Sequence, residues 1–172
     1  MVRMLIPIVI VFFLYKLIKW IGDTNRETNE AFLKVSEKLG FHYKEETKWW
    51  KKKNMSGVID GYKCEITVYT QSHGQSSTTY ISFFTYFPNS LDMGLKLNWR
   101  GKFEGDDDHV TELFIRRNLA LVEKEKKKLR RLKITDTYVN SRKILTKKWR
   151  NPENIVDAMQ NVVAFTKEIE EI

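Results

Sequence analysis

The sequence predicts an α+β protein: an N-terminal transmembrane helix followed by an antiparallel sheet of about five or six strands packed with three helices. Three observations carry this reading. An uncharged run, MLIPIVIVFFLY, fills Met4–Tyr15. The middle of the chain alternates apolar and polar residues between turn signals, the period of a strand with one buried face. The segments on either side of that middle repeat apolar residues at helical spacing instead.

From Met4 to Ile21 the apolar segment has 18 residues, which as a helix reach about 27 Å against a hydrocarbon core of roughly 30 Å. Spanning requires Lys16 and Lys19 to extend their ammonium groups to the headgroups, with Trp20 at the interface and Leu5, Ile8, Phe12 and Phe13 among the lipid-facing residues. A cleaved signal peptide is the alternative, but no small-x-small site follows in YKLIKWIGDTN. The expected division is therefore an anchor over residues 1–22 and one domain over 23–172. Arg3 on one flank nearly balances Lys16 and Lys19 on the other. The short leading tail, the free cysteine and Lys51–Lys53 then favour a cytoplasmic over an extracytoplasmic domain.

The anchor is followed by Thr24-Asn-Arg-Glu27, which has the form of a capping box. Ala31, Phe32, Val35 and Leu39 recur at helical spacing, and Gly40 supplies a left-handed closing position. Met55–Ile59 and Tyr62–Thr70 flank Asp60-Gly61, a two-residue hairpin turn. A second hairpin runs through a Gln71–Ser77 loop into Thr78–Phe87, and Leu95, Leu97 and Trp99 alternate in a further strand. After Asp106-Asp107-Asp108, an amphipathic helix continues to Leu132, with Leu119, Val122, Leu129 and Leu132 near one face. Lys133–Val139 and Arg142–Trp149 form a last hairpin turning near Asn140-Ser141. Asn151-Pro152-Glu153 starts the closing helix with a capping side chain, a proline at the first position and an acid at the positive dipole end.

The order of anchor, helix ending Leu39-Gly40-Phe41, hairpin of the form G-x-x-x-G-Y (Gly57 to Tyr62), Thr/Ser hairpin and N-P-E helix start resembles that of uncharacterised bacterial single-pass membrane-anchored α+β proteins. The resemblance implies the fold organisation and no activity.

The formal net charge is +8. Beyond the anchor the excess is local, because Glu123–Lys133 alone has seven Lys/Arg against two Glu. Concentrated charge of this kind points toward an anionic surface, and Lys124, Lys127, Lys128 and Arg131 are the candidate contacts for anionic lipid; a solvated helix face is the plainer reading. Nucleic acid is disfavoured because no aromatic interrupts the run. The strand Tyr80–Phe87 is apolar on both sides. With Ile81, Phe83 and Phe87 in the core, Tyr80, Phe84 and Tyr86 point the other way and need a helix, the bilayer or a partner to cover them.

Catalytic signals are weak. His42, His73 and His109 are far apart in sequence, the three aspartates lack the spacing of a calcium loop, and no phosphate-cradling glycine motif or nucleophile elbow occurs. Cys64, the only cysteine, alternates with Tyr62, Ile66 and Val68 and reads as a buried core residue. No cofactor, metal or catalytic residue is expected. The functional expectation is a non-enzymatic accessory or interaction subunit of a membrane protein complex, with an anionic-lipid-binding module and a membrane-anchored enzyme of unknown class as alternatives.

Overall fold

The structure, a computed structural model, describes residues 2–44, 52–74, 76–97 and 102–171. In chain order the elements are α1 (Val2–Leu39), β1 (His42–Tyr43), β2 (Lys53–Ile59), β3 (Tyr62–His73), β4 (Ser76–Tyr86), β5 (Lys96–Leu97), β6 (Phe103–Glu104), α2 (His109–Leu129), β7 (Leu132–Thr135), β8 (Tyr138–Ile144), a 3-10 turn (Lys147–Arg150) and α3 (Pro152–Glu170). Among the described residues the sheet has eight strands, in the order β1-β2-β3-β4-β8-β7-β5-β6, with every pair antiparallel.

The α+β class holds, but the transmembrane helix does not. Among the described residues no helix is long and apolar enough to cross a membrane, so the single-pass, membrane-localised reading of residues 1–22 is withdrawn. The uncharged stretch Met4–Tyr15 has 12 residues, which span only about 18 Å. Lys16 does not reach away from it: its ammonium lies 4.6 Å from the centre of the Phe12 ring one turn back, a local cation–π contact. Val11, Phe12, Leu14, Tyr15 and Ile18 are exposed on this part of α1. The side chains of Leu5, Ile8, Phe13 and Trp20 lie outside the described part of the structure, whereas Lys19 is exposed.

Nor does a hinge separate two helices. α1 runs unbroken through Gly22 and the Thr24–Glu27 capping box. A single helical glycine costs only about 1 kcal/mol, and the Asp23–Arg26 pair (3.5 Å) bridges the following turn. Gly40 ends the helix at φ +65°, and the Phe41 amide donates to the Ser36 carbonyl at 2.8 Å, the bonding of a Schellman close. On the sheet side α1 is held by Lys53, a buried ammonium that donates to the side-chain oxygens of Asn25 and Asn29.

Asp60 and Gly61 both take positive φ, as the two-residue turn requires. The two glycines of the G-x-x-x-G-Y segment have separate tasks. Gly61 permits the turn, while Gly57 lies under the Phe41 ring, where a Cβ would come within 2.3 Å of Phe41 Cδ1. Gly57→Ala is therefore expected to cost about 1–3 kcal/mol by overpacking, read as a lower unfolding midpoint at unchanged m-value. A neutral result would mean that the ring moves aside freely.

The second hairpin is tighter than expected. β3 and β4 continue to His73 and Ser76, paired through Thr70–Thr79, Gln71–Thr78 and Ser72–Ser77, so most of the supposed Gln71–Ser77 loop is strand. The last hairpin turns at Asp136-Thr137 rather than at Asn140-Ser141. The Asp136 carboxylate accepts the amides of Met93 and Leu95, a long-range contact that fixes the turn there. Trp99 and Trp49–Lys51 lie outside the described residues.

One face of the sheet is the core. Ile66, Ile81, Phe83 and Val139 are fully buried with Phe32 and Val35 of α1 and Ile155, Met159 and Val162 of α3. Cys64 joins them, and burial pushes its thiol up to about 11, as befits a core thiol rather than a nucleophile. The opposite face carries Tyr69, Tyr80, Phe84, Tyr86, Tyr138 and Arg142, set by the cross-strand pairs Glu65–Phe84, Tyr69–Tyr80, Phe84–Asn140 and Tyr86–Tyr138.

Candidate anion-binding cleft

The basic run is not one helix. α2 starts at the Asp108 cap, whose carboxylate accepts the Thr111 amide at 2.9 Å and is held below its ordinary pKa by that bond. It stops at Leu129, where the Ser141 hydroxyl donates to the Leu129 carbonyl and ties the helix end to β8. Arg130 and Arg131 then take positive φ, +43° and +46°, two consecutive positive-φ residues that reverse the chain so that Leu132 can start β7. Leu132 is consequently a strand residue, and Leu119 is 46% exposed, the inward face being Leu121, Val122 and Leu129.

This break creates a cleft. β7 pairs with β8 only as far as Ser141, so Arg142–Ile144 have β4 on one side and no strand on the other among the described residues. Among the described residues, Lys128, Arg130, Arg131, Arg142, Lys143 and Lys148 open into that gap, six cations around about 590 Å³, with Trp149 and no acidic side chain. A second concavity of about 330 Å³ continues onto the sheet face, shares Arg131 and Arg142, and adds Lys96, Lys133, Tyr69 and Phe84, again without an acid.

Two aromatic rings organise the charges. The guanidinium carbons of Arg142 and Arg131 lie 4.8 and 5.4 Å from the Tyr80 ring centre. The ammonium groups of Lys143 and Lys148 lie 5.2 and 5.9 Å from that of Trp149. Both rings are nearly buried, so each supports a pair of like charges from beneath. Arg142 also donates to the Tyr69 hydroxyl at 3.2 Å. The hydrogen bond from Arg131 holds the Tyr80 phenol below its usual pKa, against the opposing effect of burial.

The ammonium of Lys143 is disfavoured in place. Half-burial lowers its pKa first, and Lys148, Arg130 and Lys128 lower it further. The C-terminal dipole of α2 attracts cations, but its equivalent of about half a charge is small beside six. Of the six, Lys128 pairs with Glu125 at 3.9 Å; the other five have no carboxylate partner among the described residues, so the cleft keeps a net positive potential.

Of the sequence candidates, Lys128 and Arg131 line this cleft, while Lys124 and Lys127 are exposed and line neither concavity. Tyr80 is buried beneath the arginines. Phe84 and Tyr86 are half-buried and stacked at 6.3 Å, with Tyr138 set edge-on to both; no helix covers them among the described residues. Sequence reading missed Arg130, Arg142, Lys143 and Lys148. Arg142 and Lys143 stand in an ordinary-looking strand, and only the register brings them beside the helix end. No family model matches the chain, and neither does a curated protein or a solved structure.

Proposed function

We propose that this chain is a binding module, not a catalyst, and that the cleft between α2 and β8 receives a phosphate-bearing polyanion. The observation that carries the proposal is the convergence of six cations on one concavity with no acidic lining residue among the described residues. None of Arg130, Arg131, Arg142, Lys143 and Lys148 has a carboxylate partner among the described residues. Phosphate oxygens would supply the missing counter-charge, and arginine binds them through two parallel donors. A binding role also fits the buried, high-pKa Cys64 and the engagement of Asp108 as a helix cap.

Titration with a medium-chain inorganic polyphosphate by calorimetry tests this. Binding should be tight at low ionic strength and fall steeply with added salt, because each phosphate contact displaces a counterion. A protein that ignores polyphosphate even at low salt would end the proposal.

Lys143 gives the pH dependence. Its folded pKa lies below the ordinary lysine value, so the ammonium penalises the free fold fully below that folded pKa, less between the two values and not at all above the ordinary one. The free protein should therefore gain stability as pH rises through this window, while polyphosphate binding weakens across it. Lys143→Gln is expected to raise the melting temperature at neutral pH, remove the alkaline gain and weaken binding. An unchanged pH profile of stability would show that the charge costs nothing where it sits.

A further inference from the structure

Resting on the polyanion reading, we infer that the ligand is single-stranded nucleic acid, its phosphates in the α2–β8 cleft and its bases on the open sheet face around Phe84. The two concavities adjoin at Arg131 and Arg142, which line both, and together offer a groove from the sheet edge onto its open face. At one end the groove is almost wholly cationic. At the other, Phe84 and Tyr69 are interleaved with Lys96 and Lys133 over the buried Ser82 and Asn140. The aromatics absent from the basic run in sequence are supplied by β3 and β4 in space.

Phe84, Tyr86 and Tyr138 continue this platform with ring centres 5.6–6.3 Å apart. The ammonium groups of Lys63 and Lys133 lie 5.5 and 5.4 Å from the Tyr86 and Tyr138 rings. A strip that offers cations and half-buried aromatic faces in alternation matches a ligand that alternates phosphates and planar bases. Every base has a π-face to stack, so such a surface binds single strands with little sequence preference, whereas the stacked bases of a duplex cannot reach the rings. A lipid surface would engage the cations but leave the aromatic floor without a purpose. Glu65, the cross-strand neighbour of Phe84, accepts the Tyr86 hydroxyl at 3.1 Å and pairs with Lys52 at 3.8 Å, so its charge is already engaged.

The test compares four probes by fluorescence anisotropy and sedimentation: a 12-nucleotide oligouridine, a duplex of the same length, inorganic polyphosphate, and vesicles rich in phosphatidylserine. Oligouridine should bind at least tenfold more tightly than the duplex or polyphosphate of equal charge. Phe84→Ala should weaken oligouridine binding by roughly tenfold, the scale of one stacked base, and polyphosphate binding by far less, since phosphates do not stack. Phe84→Leu, which keeps apolar bulk on the strand, should show the same loss, and Phe84→Tyr should restore binding. Equal affinity for oligouridine and polyphosphate, with Phe84→Leu neutral, would overturn the nucleic-acid inference and leave the polyanion reading standing. Preferential binding to vesicles would likewise overturn it in favour of a lipid surface. Failure of all four probes would remove both.

Discussion

Phe83→Ala is expected to destabilise the fold by about 3–5 kcal/mol, the usual cost of deleting a fully buried ring, out of a total of about 5–15 kcal/mol for a domain of this size. Phe83 is fully buried at the centre of β4, opposite Ile66 on β3 and Ser141 on β8, and its ring lies 5.8 Å from Trp149. Truncation would open a cavity under α3 that the sheet backbone cannot collapse to fill. Phe84, the next residue, faces the other side and is only half-buried. Phe84→Ala should cost far less, on the order of 1 kcal/mol for its partial area. Denaturant unfolding of the two variants measures how unequal the two faces of the sheet are. Equal losses would mean that the second face is covered as thoroughly as the first, and the open-platform argument would fail with it.

The elements that could be read from the sequence are those with a local physical cause. Asp60-Gly61 makes its turn because both residues tolerate positive φ, and Asn151 caps α3 through the Glu153 amide at 3.1 Å with Pro152 behind it. Gly40 closes α1 for the same kind of reason. What escaped reading depends on contacts distant in sequence. Lys124–Lys133 consists almost entirely of helix formers, so nothing local announces that the helix ends at Leu129; the Ser141 hydroxyl does that from β8. Asn140-Ser141 has turn composition but sits inside a strand, because Asp136 fixes the turn four residues earlier through Met93 and Leu95. By composition the apolar start of the chain resembles a membrane span. Yet its uncharged stretch is too short, and the helix that contains it runs on into the core-packing segment that ends at Leu39. The candidate site follows the same rule. Lys128 and Arg131 stand out in a charge run, but Arg142 and Lys143 become neighbours of that run only through the β7–β8 register.

Simultaneous Arg131→Gln and Arg142→Gln should lower polyphosphate affinity by about a hundredfold. Each charged hydrogen-bonding group is worth roughly 1.5–3 kcal/mol, and 1.4 kcal/mol is a factor of ten. These two residues are shared by both concavities, so no ligand pose along the groove avoids both. The fold itself should be little harmed, because neither guanidinium has an acidic partner to abandon and the Tyr80 ring stays in place. The backbone supplies an independent check. Arg130 and Arg131 hold positive φ, +43° and +46°, Arg130 with ψ 135° outside the left-handed helical region; for residues with a Cβ such backbone costs about 1–3 kcal/mol each and persists where something else requires it. Arg130→Gly and Arg131→Gly remove that strain along with the charge. Were this turn only a connector between α2 and β7, glycine would be the favoured residue at both positions and nothing would be lost by its presence. If the arginines are kept for the anion, the glycine variants should unfold at equal or higher temperature and bind polyphosphate at least several-fold more weakly. Variants that lose stability while retaining affinity would show that the strain serves the fold, and the cleft would lose its strongest claim to be a binding site.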